Sequence, residues 1–444
     1  MAGTQSDKGR RDFLKRTAGI FAVTAERVLA PSFLRGEWTD VARSTKEELS
    51  VTGLRELHST MSGYIERGEV PGLVTLIRRG EQTSVDALGV RSVGAEGKPA
   101  VQRDTIFRIA SMTKAVTAVA TMMLVEGGKL RLDEPVDRLM PELANRRVLK
   151  APGGPLDETV PAKRAITVRD LLTFQFGLGF LLDPPQAPIL KKMYELQVGI
   201  TPFPAQMPLR PDEWMKQLGS LPLAYQPGDC WLYHTGSDVL SVLIARASGK
   251  TLENFFRERI FEPLEMKDTS FSVPPEKLGR FGSCYGKNPA TMKVDVIDSA
   301  SGQWSKPPVF ASGAGGLAST VDDYCSFARM LLARGMHEKT RLLSETSVDM
   351  MTRNYLTPRQ RGMGNPILGE RMGWGFGMSV LVEPDALAST PGRYGWSGGL
   401  GSSWWNDPNE GLIAIILTNR AFESADPPPV IKDFWKGAYK VAGN

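Results

Sequence analysis

Strand-patterned segments sit towards the two ends of this 444-residue chain, with helical segments dominating the middle. Residues 73–80 (LVTLIRRG) and 83–90 are apolar, β-branched runs around a Gly80-Glu81 turn, which predicts an antiparallel hairpin. Three further strands are expected at 375–382, 402–406 and 411–418, the last being the continuous apolar run GLIAIILT. A helix over 46–65 precedes the first hairpin, with Leu49, Leu54, Leu57 and Met61 on one stripe. Residues 115–126 are helical and stop at Gly127-Gly128; shorter helices at 168–173, 237–247 and 252–260 follow, broken by Pro and Gly. A last helix, 430–441, comes after Pro427-Pro428-Pro429. Strands so far apart share a core only if both chain ends enter one sheet, with the helical stretch inserted in it. The expected class is α/β (α+β): an antiparallel sheet flanked by helices, its domain made of 46–102 and 306–444, with a mainly helical domain at 103–305.

Composition narrows the function classes. Apolar residues at 41% and charged residues at 23% are an ordinary globular balance, against both disorder and a polytopic membrane protein. Lys+Arg at 54 against Asp+Glu at 49 leaves +5, too slight for a nucleic-acid partner. His58, His234 and His337 have no partner at metal-ligand spacing, and Cys230, Cys284 and Cys325 form no C-x-x-C pair, so no metal or other cofactor is implied. Gly9-Arg10-Arg11-Asp12-Phe13-Leu14-Lys15 resembles a twin-arginine export signal, which predicts a signal peptide over 1–30 and a periplasmic protein. The apolar stretch 17–25 is too short for a stable membrane span, and Glu26-Arg27 interrupts it before the small-residue cleavage point at Ala30.

Three segments carry chemistry. Ser111-Met112-Thr113-Lys114 is the only S-x-x-K in the chain and opens a helix, so hydroxyl and amine share one face. A serine becomes a nucleophile when a neighbour takes its proton, and a desolvated lysine can do so. Tyr233 lies in Trp231-Leu232-Tyr233-His234-Thr235, on a loop ahead of a helix, where a phenol can relay protons. Tyr394-Gly395-Trp396-Ser397-Gly398-Gly399 leads into the strand at Ser402; its glycines would let a substrate lie against an edge strand, with a backbone N–H on its carbonyl oxygen. Taken singly, these are equally a helix cap, a core tyrosine and a turn.

In this order and spacing the three segments resemble the motifs of the serine β-lactamase and penicillin-binding-protein superfamily. The match is closest to its class C-like branch, which includes the family VIII carboxylesterases, and it covers about residues 50 to 435. Supporting stretches are FRIA (107–110), LRLDEPV (130–136), ITVRDLL (166–172), FEPLEMKDT (261–269) and GAGGLASTVDD (313–323). The resemblance implies a β-lactamase/transpeptidase-like fold and a covalent acyl-enzyme on Ser111, with Lys114 as its proton-transfer partner. It implies Tyr233 as the base in acylation and the proton donor to the leaving group. The oxyanion hole would be the backbone N–H groups of Ser111 and Gly399. Trp396, Gly398, Thr235, Phe174 and Gln175 would line the substrate pocket.

Departures from the motifs bear on substrate. Trp396 stands where penicillin-handling relatives have Lys or His, and Thr235 where Asn commonly follows the tyrosine. A substrate carboxylate left without its cation costs about 2–5 kcal/mol. A neutral ester has no such need, and an indole wall suits an apolar acyl or alcohol part. The expected function is therefore hydrolysis of small neutral carboxylic esters. A β-lactamase or D-amino-acid peptidase on the same scaffold, and a catalytically silent binding relative, are the competing readings. Gly395–Gly399 also fits G-x-S-x-G, but that elbow needs a helix after the serine and a later histidine, and none follows His337. His234, as the neighbour of Tyr233, is expected to point elsewhere.

Overall fold

The computed structural model describes residues 48–443, apart from 181–183, 185, 200–206, 289–290, 292 and 364. The expected signal peptide and its cleavage point lie outside the described residues. Five helices frame the sheet and the site: α1 (Val51–Glu66), α2 (Thr113–Glu126), α3 (Thr235–Ser248), α4 (Val321–Leu332) and α5 (Pro429–Val441). The strands of the sheet are β1 (Gly72–Arg79), β2 (Gln82–Gly89), β3 (Met372–Trp374), β4 (Ser379–Leu381), β5 (Tyr394–Gly398), β6 (Ser402–Asp407) and β7 (Leu412–Thr418).

These strands form one antiparallel sheet in the order β3-β4-β5-β6-β7-β1-β2. The two ends of the chain meet inside it, where Leu73 faces Thr418 and the pairing runs on to Arg79 opposite Leu412. Side-chain alternation then sorts the apolar residues onto two faces. Val74 and Leu76 join Ile413, Ile415 and Leu417 on the face covered by α2 and α4. Leu73 and Ile77 join Ala414 and Ile416 under α1 and α5. Burial on both faces is why β7 is a continuous apolar run and not an alternating one. The helix α2 is itself interior: every residue from Thr113 to Leu124 is buried. Its threonines are tolerated because Thr117 Oγ1 donates to the Gly313 carbonyl at 2.8 Å and Thr121 Oγ1 to that of Thr117 at 2.9 Å.

Four expectations needed correction. The strand expected at 375–382 is split into β3 and β4 by a tight turn in which Gly377 has φ +71°, and a Cβ there would lie 2.5 Å from the Lys114 carbonyl oxygen. That turn presses directly on α2. The helix expected over 252–260 changes at Phe256 into a π-helical turn, Arg257–Phe261. The stretch read as short helices also contains two antiparallel pairs, Arg147–Leu149 with Thr159–Pro161 and Cys284–Lys287 with Val294–Asp298. Finally, the Tyr394 motif is itself strand β5, internal in the sheet order. It pairs with β4 only through Tyr394 and Gly395, whereas Trp396–Gly398 pair with β6.

Candidate active site

Ser111 sits on a 3-10 turn, Ala110–Met112, that runs straight into α2. The three-residue spacing brings Lys114 Nζ to 3.0 Å from Ser111 Oγ. Lys114 is fully buried, donates to the Ala314 carbonyl at 2.5 Å, and lies 4.6 Å from the centroid of the Tyr233 ring. Removal from water penalises the ammonium form and pulls its pKa down to about 7, with the Asp238 carboxylate pulling the other way.

Tyr233 closes the group. Its hydroxyl accepts a hydrogen bond from Trp396 Nε1 at 2.6 Å. Burial pushes its pKa up to about 12, opposed by hydrogen bonds from Ser111 and Trp396. In the free protein at neutral pH, Tyr233 therefore keeps its proton while Lys114 is poised to lose one.

His234 does not point elsewhere. Its Nδ1 is 3.3 Å from Lys114 Nζ and its Nε2 is 3.4 Å from Asp238 Oδ2. The backbone explains why: His234 has φ 83° and ψ −65°, and the Thr235 N–H bonds to the Tyr233 carbonyl at 3.2 Å. That is a γ-turn of the rare positive-φ form. In an extended chain neighbours alternate sides; the γ-turn instead brings the Tyr233 and His234 rings together, 5.9 Å apart and edge to face. A sequence signal was present, His234 and Asp238 spaced i, i+4 across a helix start.

β5 reaches the serine by close backbone approach. A Cβ on Gly398 would lie 2.2 Å from the Ile109 carbonyl oxygen, and Ser402 Oγ donates to that same oxygen at 2.9 Å. Ser111, Gly399 and Trp396 consequently share the wall of one cavity of about 1100 Å³, whose lining also includes Phe180, Trp405 and Trp435. Gly398 contributes the approach rather than the wall. Thr235, Phe174 and Gln175 are off the wall as well. Thr235 is fully buried in the first turn of α3, Phe174 stacks on Trp374 at 5.0 Å, and Gln175 accepts from Gln360 Nε2 at 2.9 Å. Phe174 backs the Tyr233 ring, edge to face at 5.8 Å, so it shapes the site from behind. Ser397 lies within β5 with its hydroxyl 2.8 Å from that of Ser403, and a strand comes after it, so it has no elbow geometry. Among the described residues no cluster of His, Cys, Asp and Glu is arranged to hold a metal ion.

Comparison with known proteins identifies the family. Residues 57–431 match the family described as Beta-lactamase. Protein Rv1367c of Mycobacterium tuberculosis (strain ATCC 25618 / H37Rv) is 37% identical over 79% of this chain and 86% of its own length. Esterase EstB of Burkholderia gladioli is 31% identical over 82% of this chain and 90% of its own. The solved structure of the LovD6 mutant of simvastatin synthase from Aspergillus terreus aligns over 88% of this chain and 97% of that one, with a TM-score of 0.71 and 25% identity. With the S-x-x-K serine and lysine brought together at the head of α2 inside that matched span, this chain belongs to the β-lactamase family and is a serine hydrolase.

Proposed function

We propose that the protein hydrolyses small neutral carboxylic esters through an acyl-enzyme on Ser111. The observation that carries this reading is the 3.0 Å contact between Ser111 Oγ and a fully buried Lys114 amine. As Ser111 Oγ bonds to the ester carbonyl carbon, its proton passes to neutral Lys114. The carbonyl oxygen takes the developing charge between the backbone N–H groups of Ser111 and Gly399, both on the cavity wall. Tyr233, still protonated at neutral pH, gives its proton to the departing alkoxide, and the new Lys114 ammonium beside the ring supports the phenolate until the proton returns. Water then releases the acid by the reverse sequence, and an alcohol in its place would receive the acyl group.

The preference for neutral esters rests on the cations. Trp396 fills the third-motif position, and the three cations among the lining residues are each paired: Arg393 with Asp385, Lys432 with Asp426 at 2.6 Å and Lys436 with Asp433 at 3.2 Å. Among the described residues of that wall, a β-lactam carboxylate meets no unpaired cation. EstB, an esterase by name, supports the same choice. The test is p-nitrophenyl butyrate hydrolysis by the protein and by Ser111→Ala, with nitrocefin alongside. Ester turnover reduced at least about 10³-fold in the variant, with little nitrocefin cleavage, is expected; faster nitrocefin than ester turnover would overturn it. For location, the Arg10-Arg11 motif supports twin-arginine export to the periplasm, which cell fractionation of the native host checks.

A further inference from the structure

The γ-turn at His234 places a second buried pair, His234 and Asp238, directly behind Lys114. Asp238 is fully buried on the first turn of α3. Its Oδ1 accepts from Ser312 Oγ at 2.6 Å and from the Ala314 N–H at 3.3 Å. Its Oδ2 takes no well-formed hydrogen bond from any described residue and lies 3.4 Å from His234 Nε2. One tautomer of the imidazole suits both neighbours: Nε2–H faces the carboxylate across 3.4 Å and the Nδ1 lone pair faces Lys114.

Counting hydrogens at Lys114 shows what this does. A neutral amine has two N–H groups and one lone pair. The Ala314 carbonyl takes one hydrogen at 2.5 Å, and His234 Nδ1, at 3.3 Å, is placed to take the other. The direction left for the lone pair is Ser111 Oγ, at 3.0 Å. Once the serine proton arrives, all three hydrogens of the ammonium have acceptors, and Asp238 supplies the opposite charge behind the imidazole.

We propose that His234 and Asp238 are positioning residues of the acylation step: His234 aims the Lys114 lone pair at Ser111, and Asp238 orients the imidazole and counterbalances the ammonium. This rests on the ester-hydrolase reading and adds two residues to it. The proton stays on Lys114, so His234 remains neutral throughout. Burial and the nearby Lys114 both hold its pKa below the ordinary histidine value. The charged groups facing its ring are Lys114 from α2 and Asp238 from α3; Tyr233 presents its ring edge. The strained backbone points the same way, since a non-glycine residue at such φ and ψ is uphill and persists where the side chain is needed.

Two variants test it. His234→Gly relieves the turn, so a purely structural histidine predicts equal or higher thermal stability and unchanged catalysis. The expected result is equal or higher melting temperature with kcat for p-nitrophenyl butyrate about 10- to 100-fold lower and KM unchanged. Asp238→Asn removes the counter-charge, so the acid limb of the kcat/KM profile moves to lower pH while the plateau falls. The same shift is read without any substrate from the Cε resonance of Lys114 in protein labelled with [ε-13C]lysine and assigned with Lys114→Met. A His234→Gly enzyme within about 2-fold of the parent kcat, or a Lys114 titration unmoved by Asp238→Asn, overturns the proposal. If the parent shows no ester turnover, the functional reading fails by itself, and the Lys114 titration still decides whether this pair controls the amine.

Discussion

The indole N–H of Trp396 bonds to the Tyr233 hydroxyl at 2.6 Å, so the residue that replaces the third-motif cation touches the second motif directly. In the proposed mechanism that bond makes Trp396 a partner of the proton donor as well as a part of the pocket wall. Trp396→Phe keeps the apolar surface and deletes the donor. A neutral hydrogen bond contributes about 0.5–1.5 kcal/mol, so kcat for p-nitrophenyl butyrate should fall about 2- to 10-fold with little change in KM. An effect confined to KM would mean that the indole serves only as a wall.

The proposed acylation step uses Lys114 as the free amine, and its pKa is drawn down to about 7 by burial. The kcat/KM profile for a neutral ester should therefore rise through an apparent pKa near 7. Below it the rate should drop about tenfold per pH unit. In the same mechanism Tyr233 keeps its proton to serve the leaving group, and burial holds its pKa at about 12, so no second limb is expected below pH 10. A stopped-flow profile from about pH 5 to about pH 10, the span of ordinary side-chain ionisation, checks the acid limb and the absence of a basic one. An acid limb set instead at the ordinary lysine range would show that the amine is not desolvated in solution.

Much of this was legible in the sequence, for physical reasons. β1 and β7 announce themselves because a strand buried on both faces must be apolar throughout, and Ser111 and Lys114 need only helical spacing to meet. The position of His234 was legible only as a hint, in its i, i+4 spacing to Asp238. It depends on a positive φ at a residue that disfavours it, which local propensity argues against and only the surrounding fold imposes. The split between β3 and β4 was missed for a related reason, since the turn at Gly377 is fixed by its fit against α2. Phe174, Gln175 and Thr235 hold motif positions yet lie one layer behind the cavity, and motif spacing carries no information about depth.

Gly398 tests the close approach of β5 to the nucleophile. A methyl group there would meet the Ile109 carbonyl oxygen at 2.2 Å and Ser402 Oγ at 2.4 Å, and the carbonyl cannot move without displacing the turn that carries Ser111. Gly398→Ala should cost about 1–3 kcal/mol of stability and lower kcat at least about tenfold by opening the oxyanion site. Urea unfolding beside ester kinetics separates the two effects; full activity in the variant would show that Gly399 is placed independently of this contact.

The buried amine should also leave a mark on stability. Lysine in an unfolded chain ionises near 10.4, whereas Lys114 in the folded protein does so at about 7. Between those values the unfolded chain binds a proton that the folded protein does not, so this group makes stability rise with pH across that window. Below about pH 7 the penalty is present in full, and near pH 10 it has vanished. Lys114→Met keeps the volume and removes the charge. It should abolish ester turnover yet raise the urea midpoint at about pH 6.5, with the gain shrinking steadily toward about pH 9.5, settings that bracket the window in which the two states differ in bound protons. An equal gain at the two pH values would assign the effect to packing alone, and a loss at the lower pH would mean that the hydrogen bonds of Lys114 to Ala314 and Ser111 outweigh the burial of its charge.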